Sequence, residues 1–286
     1  MKIASIDIGT NAVKSKIFKT TPTSIEFIEG IRSPIRLGTD VFTNGLLTKD
    51  KLDLLIKALR KYQKNFIKNK ISMYEIVATS AFRDTQNSEE ARRYVENKIE
   101  HPIRIISGLE EAKLIMFHPK AQSRSRKVYV DVGGGSTEIY IYENNKHIIQ
   151  SFQLGAVRGM LGKNDPEEWF RLKKWLKKQP KTSTLVGLGG NIRSFLNLNA
   201  TKKMKSEDFI KEVINFNKLD VSSKISAYKL QKDRADVIDF ALQIYIEIIK
   251  ILKVQEIKST RWGVSDSIAV KTFHELYSKK ISISRS

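Results

Sequence analysis

The sequence contains no cysteine. That excludes a disulfide framework and any thiolate-held metal, and it leaves the redox compartment undefined. There are 6 prolines in 286 residues, and no Pro-, Gly- or Ser-rich stretch marks a linker or a low-complexity tract. No uninterrupted apolar run approaches about 18 residues. The opening MKIASIDIGT has neither the apolar core nor the small-residue cleavage site of a secretion signal. A cytoplasmic chain with no membrane association is therefore expected. Neither GxGxxG nor GxxxxGK[ST] occurs, so the dinucleotide fingerprint and the P-loop drop out. Acid is scarce relative to base: 31 Asp+Glu against 51 Lys+Arg give a formal net charge of +20. Such a field attracts polyanions, whether nucleic acid, anionic lipid or phosphorylated small molecules. It gives the sign of the partner and not its identity.

What is present is an α/β pattern that runs twice. The apolar run IASIDIG and the runs SKIFKT and SIEFIEGI read as three strands joined by turns. A helix follows from Thr48 to about Asn69, with Leu52, Leu54, Leu55, Ala58 and Leu59 on one side. Then come a strand YEIVATS, a helix after Asn87, a strand IRIIS and a helical GLEEAKLIMF. From Lys127 the pattern restarts with KVYVDVG, STEIYIYE and KHIIQSFQL, followed by helices and a strand STLVGLG. Asp7 and Asp131 occupy matching places, each an acid closing an apolar strand before a Gly-containing turn. The offset of about 124 residues is too long for a solenoid repeat and implies two similar α/β domains with a cleft between them. The stretch from Ser206 to Val254 is helical. Within it RADVIDFALQIYIEIIKILK is apolar nearly all round after Ile238, as a buried packing helix would be. STRWGVSD reads as a last strand and turn, Asp266 to Lys279 as a closing helix, and KKISISRS as a frayed tail. The lysine-rich WFRLKKWLKKQPK sets Trp169, Leu172 and Leu176 at helical spacing, which makes an amphipathic helix with a solvated lysine face.

The glycine turns carry the chemistry. GGGST leads into the β-branched and aromatic EIYIYE, hence into a strand and not into a helix as a dinucleotide fold requires. A Gly-rich β-turn still cradles phosphate, because without Cβ atoms it can bend sharply and point successive N–H groups at one anion. Phosphoryl transfer usually needs a divalent cation held by one or two carboxylates and by the substrate's own oxygens. Asp7, Asp131 and Glu138 are the candidates, and Glu110–Glu111 can supply the carboxylate that acts on water. Arg83, after the strand in VATSAFRDTQN, can fork onto a phosphate.

Together these segments resemble the exopolyphosphatase / guanosine pentaphosphate phosphohydrolase (Ppx/GppA) family, within the sugar kinase–Hsp70–actin fold. SIDIGTNAVKSKIF, ATSAFRDTQN, IISGLEEAKLI, VDVGGGSTEIYI, SFQLGAVRG and LVGLGGNIRS match its signatures in order from residue 1 to about 195, and DRADVIDFA extends the match to about 241. The resemblance implies two duplicated ribonuclease H-like domains with an interdomain cleft. These would be 1–120, completed by a C-terminal helix 267–286, and 121–266. It implies Mg²⁺- or Mn²⁺-assisted hydrolysis of a terminal phosphoanhydride, with K⁺ as a further cation. Glu111 would be the general base and Arg83 would neutralise developing charge. Asp131, Glu138 and Asp7 would hold the metal. Phosphate would rest on Gly9, Thr10, Asn11, Lys14, Gly133, Gly134, Gly135 and Ser136, with Gly189 and Gly190 in the adenosine-loop position.

Departures bear on the substrate. The family places Arg where this sequence has Lys14, and it favours Gly-Leu-Arg-Glu-Gly where this one reads Gly263-Val264-Ser265-Asp266-Ser267. In the family these arginines are associated with guanosine-nucleotide phosphates, so their absence favours inorganic polyphosphate over pppGpp. The sequence stops where longer members add a helical HD-type domain, which favours short chains. A pppGpp 5′-phosphohydrolase, a catalytically weak (p)ppGpp or polyphosphate sensor, a nucleic-acid protein and an ATP-driven kinase of the same fold are the competing expectations. Nucleic acid is not expected as the partner, and a homodimer is compatible with the sequence.

Overall fold

The computed structural model describes residues 1–71, 73–123 and 126–283, with side chains as far as Tyr277. The chain divides into two compact units, Met1–Ser107 together with the chain from Val264 onward, and Gly108–Gly263.

In the first unit β1 (Lys2–Ile8) is buried on both faces, which is why it reads as a nearly continuous apolar run. β2 (Val13–Thr20) and β3 (Ile25–Ser33) follow as antiparallel neighbours. Next come α1 (Leu37–Asn44) and α2 (Lys49–Lys68). Thr48 caps α2 by accepting a hydrogen bond from the Lys51 N–H, an interaction worth about 1 kcal/mol. The buried stripe of α2 is Leu52, Leu55, Ile56, Leu59, Tyr62 and Phe66. Leu54, expected on that stripe, is exposed, because a position two after Leu52 lies across the helix from it. β4 (Met73–Ala78), α3 (Ser80–Arg83), α4 (Ser88–Ile99) and β5 (Arg104–Ile105) complete the first pass of the chain. β4 lies parallel to β1 and to β5, giving the order β3-β2-β1-β4-β5.

The second unit opens with α5 (Gly108–Leu114), then β6 (Lys127–Val132), β7 (Thr137–Glu143) and β8 (Lys146–Phe152). The sequence expectation put the boundary near residue 120. The division falls before α5 instead, because α5 packs on β7 and β8. α6 (Ala156–Met160) and α7 (Pro166–Lys177) lead to β9 (Thr184–Leu188) and α8 (Gly190–Leu198). On α7, Leu172 and Leu176 are buried and Phe170 is exposed. After β10 (Lys203–Lys205) come α9 (Ser206–Phe216), α10 (Val221–Tyr228), α11 (Lys232–Ala235) and α12 (Ile238–Leu252). β11 (Glu256–Ser259) closes the sheet in the order β10-β11-β9-β6-β7-β8. The expected last strand STRWGVSD is therefore displaced. The strand ends at Ser259, and α13 (Val264–Ile283) begins within the segment. α13 returns to the first unit, where Ala269 and Phe273 pack on Ile3 and Phe18. It runs past the expected stop at Lys279, and residues 284–286 of the tail lie outside those described.

Both sheets share one plan. A central strand has an antiparallel meander on one side and parallel strands on the other, with β10 added antiparallel at the edge of the second sheet. These are two duplicated ribonuclease H-like domains. Among the described residues no helix is long and apolar enough to cross a membrane.

One half-buried histidine gives the second unit an acid sensitivity. His118 sits 5.1 Å from the Tyr129 ring and 5.3 Å from Trp262. Its Nδ1 accepts the Lys120 N–H at 3.1 Å. Burial, then Lys120, Lys127 and Lys258, push it down to about 4. A folded-state value below the unfolded one of about 6.5 means stability is present at neutral pH and lost as pH falls from 6.5 through 4. After discounting for partial exposure, acidification from pH 7.5 to 5 should cost roughly 1 kcal/mol from this group. Urea melts at the two pH values are expected to show that loss in wild type and a smaller one in His118→Asn. An equal loss in both would rule out His118.

Candidate active site

The second unit gathers three carboxylates. Asp131 lies on β6 directly opposite Glu138 on β7, and β8 sets Ser151 opposite Glu138. Residues paired across antiparallel strands share a face, so strand register alone brings Asp131 and Glu138 together. The Ser151 hydroxyl donates to Glu138 Oε1 at 2.9 Å. Glu111, in the first turn of α5 and 8 % exposed, is the third acid. Burial, then the charges of Glu111 and Asp131, hold the Glu138 carboxyl well above the usual carboxylate range, and hydrogen bonds from Ser136 and Ser151 offset this in part. Glu111 and Glu138 are buried and Asp131 is half-buried, so a cation bound beside them would relieve their repulsion.

The glycine loop beside them is held by its carbonyls. Gly133 N–H donates to Ser136 O at 2.9 Å, closing the turn. Gly133 O accepts from Ala156 N at 2.9 Å, and Gly134 O from Val157 N at 2.8 Å and Arg158 N at 3.0 Å. Gly135 O accepts from Arg158 Nε at 2.9 Å. With every carbonyl engaged, the N–H groups of Gly134 and Gly135 have no acceptor among the described residues. Buried or half-buried donors rarely stay unpaired, so this pair presents itself to an anion. A Cβ on Gly155 would run into the backbone of Gly134 and Gly135, which is why SFQLGAVRG needs its glycine.

Gly189 directly follows β9, next to Asp131. Its backbone lies at φ 78, ψ −166, a region open essentially to glycine, and a Cβ there would stand 2.7 Å from Asp131 Oδ1. Gly190 opens α8, where a Cβ would meet the Arg234 guanidinium, and Arg234 itself hydrogen-bonds Asn191 Oδ1.

The first unit carries the matching loop. Asp7, next to the end of β1, is 3 % exposed and pairs with Lys14 Nζ at 3.3 Å across the β1–β2 register. Thr10 O accepts from Gly38 N at 2.9 Å and Asn11 O from Arg36 N at 3.0 Å, so here too the carbonyls are tied back. Thr10 Oγ1 shares a 2.6 Å hydrogen bond with Ser80 Oγ. The N–H groups of Gly9 and Thr10 have no acceptor among the described residues. Arg83 donates from Nη1 to Ile106 O at 2.8 Å and lies 3.7 Å from Asp84.

The structure thus assembles Glu111, Asp131, Glu138, Gly133–Ser136 and Gly189 in one unit. Asp7, Gly9–Asn11, Lys14 and Arg83 belong to the other. Ser151, Gly155 and Arg158 were given no role from the sequence. All three lie in the SFQLGAVRG segment, which is the signal that could have found them. Among the described residues no group of three or more His, Cys, Asp or Glu side chains is placed to hold a metal ion by itself. An all-oxygen pair such as Asp131 and Glu138 still fits Mg²⁺ or Mn²⁺, which take one or two carboxylates and fill the rest from water and phosphate oxygens.

A family model described as the Ppx/GppA phosphatase family matches residues 16–276. The chain belongs to the Ppx/GppA family. Among solved structures it is similar to the Aquifex aeolicus Ppx/GppA family member, at 24% identity and TM-score 0.77, over 96% of this chain and 98% of that one. It is also similar to an exopolyphosphatase from Cytophaga hutchinsonii, at 18% identity and TM-score 0.84, over 96% and 98% of the two chains. At these identities the likeness is one of fold. The family supports a phosphatase acting on polyphosphate or guanosine polyphosphates.

Proposed function

We propose that this Ppx/GppA protein releases orthophosphate from the ends of inorganic polyphosphate by metal-assisted attack of water. The observation that carries the reading is the joint placement of Glu111, Asp131 and Glu138 beside a glycine loop whose carbonyls are satisfied and whose N–H groups are not. The loop N–H groups of Gly134 and Gly135 hold phosphate oxygens. Glu111 takes the proton from the attacking water. Asp131 and Glu138 would hold Mg²⁺ or Mn²⁺, which would offset the charge on the phosphate oxygens. Arg83, fixed on Ile106 O, neutralises charge on the leaving phosphate.

Polyphosphate is preferred over pppGpp because two arginine positions of the family are replaced, one by lysine and one by serine. Lys14 is already ion-paired with Asp7, and Ser265 is 2 % exposed, its backbone carbonyl accepting from Ser5 Oγ. Neither offers a guanidinium fork to a nucleotide. Initial rates of phosphate release with Mg²⁺ from tripolyphosphate, longer polyphosphate and pppGpp test this. The expected result is turnover of polyphosphate at a kcat/KM at least about tenfold above that of pppGpp, abolished by chelator. A higher kcat/KM for pppGpp, or no release from any polyphosphate, would overturn it.

A further inference from the structure

The second unit has a cavity of about 410 Å³ at the end of β6 opposite to Asp131. Lys127 and Asp131 are four positions apart on that strand, about 13 Å at the usual rise. The volume falls in the range of about 300–1,000 Å³ typical of small-molecule sites. Its wall includes Arg126, Lys127, Lys181 and Thr182, with Glu143 and Asn144 from the β7–β8 turn. Three cations face one acid.

Two observations show that the cavity is more than a basic patch. Thr182 is 3 % exposed, and its Oγ1 is buried with no hydrogen-bond partner. A buried hydroxyl left unsatisfied costs stability unless a ligand completes it. Two of the cations are also held in place. Lys181 Nζ donates to Ile251 O at 2.9 Å, and Lys127 Nζ to Ser123 Oγ at 3.4 Å. The Arg126 guanidinium has no hydrogen bond or ion pair among the described residues. Burial and the nearby charges of Lys258 and Lys120 lower the Lys127 pKa, a repulsion that an anion would relieve.

We propose that this cavity binds a compact polyanion carrying two or more phosphate groups, with Arg126, Lys127 and Lys181 meeting its charge and the Thr182 hydroxyl completing its hydrogen bonds. The same chemistry comes from a free oligophosphate or from the phosphate tail of a nucleotide. The inference does not depend on turnover, because none of these residues is placed in the catalytic machinery.

Calorimetric titration of the full chain in chelator, with tripolyphosphate and with ATP as probes, tests the site. In Arg126→Ala/Lys181→Ala one class of tripolyphosphate sites should disappear, while Mg²⁺-supported phosphate release at saturating substrate stays unchanged. Thr182→Val keeps the charge and so separates a built site from diffuse attraction. It should weaken tripolyphosphate about three- to tenfold and raise the ligand-free melting temperature by about 2–4 °C. Competition by ATP would identify the phosphate tail as sufficient, and binding of tripolyphosphate alone would identify a free oligophosphate. Stoichiometry and affinity unchanged from wild type in both variants would overturn the proposal, as would loss of binding in the double variant with none in Thr182→Val.

Discussion

Glu111→Gln is expected to lower Mg²⁺-supported phosphate release from polyphosphate by about 10²- to 10⁴-fold, the usual worth of a general base. The substitution keeps the shape of a side chain that is 8 % exposed, so the fold around α5 has no cavity to fill. A second readout separates lost chemistry from lost structure. Glu111 is one of the charges that raise the Glu138 carboxyl. An acid whose folded-state pKa lies above its unfolded value of about 4.5 loses folding stability as pH rises from 4.5 through the folded value. In chelator the Glu138 contribution should therefore fall from pH 5 to pH 8 against the opposing rise from His118, and Glu111→Gln should gain melting temperature relative to wild type across that window. Retention of more than about a third of wild-type turnover would sink the assignment of Glu111 as base. An unchanged melting profile would show that its charge does not reach Glu138.

Gly189→Ala is the second large effect. Alanine at φ 78, ψ −166 carries backbone strain of about 1–3 kcal/mol, and its Cβ would stand 2.7 Å from Asp131 Oδ1. Something must move, and the neighbour that can is the Asp131 carboxylate, which then leaves its place opposite Glu138. Displacing a metal-holding carboxylate typically costs about 10- to 100-fold in metal affinity or activity. Gly162→Ala is the control. That glycine also has a positive φ of 67, but a Cβ there meets nothing within 4 Å. It should lower the melting temperature by a few degrees, about 1–2 kcal/mol of strain, and leave the Mg²⁺ requirement unchanged. Equal Mg²⁺ dependence of phosphate release in both variants would show that the Gly189–Asp131 contact does not set the metal site.

Much of the architecture was legible because it is local. Strands of alternating or wholly apolar character, the Thr48 cap, the turn glycines and the apolar girth of the segment after Ile238 each follow from neighbours a few residues apart. Misreadings arose where local pattern is ambiguous. Leu54 was placed on the buried stripe of a helix whose apolar count exceeds its buried face. STRWGVSD reads as a strand and turn because β-branched residues bracket a loop that α13 cuts short.

By itself the sequence determined a duplicated α/β chain with an acid and a glycine turn closing the first strand of each half, and an excess of positive charge. Chain-local periodicity and composition encode all three. Only the tertiary structure decided that Asp131 faces Glu138, that Ser151 donates to it, and that Gly189 leaves room for the Asp131 carboxylate. It also decided that the carbonyls of Gly133–Gly135 are taken up by Ala156–Arg158, and that Thr182 is buried without a partner beside three cations. Each depends on strand register or on packing between segments far apart in the chain, which no window of neighbouring residues contains.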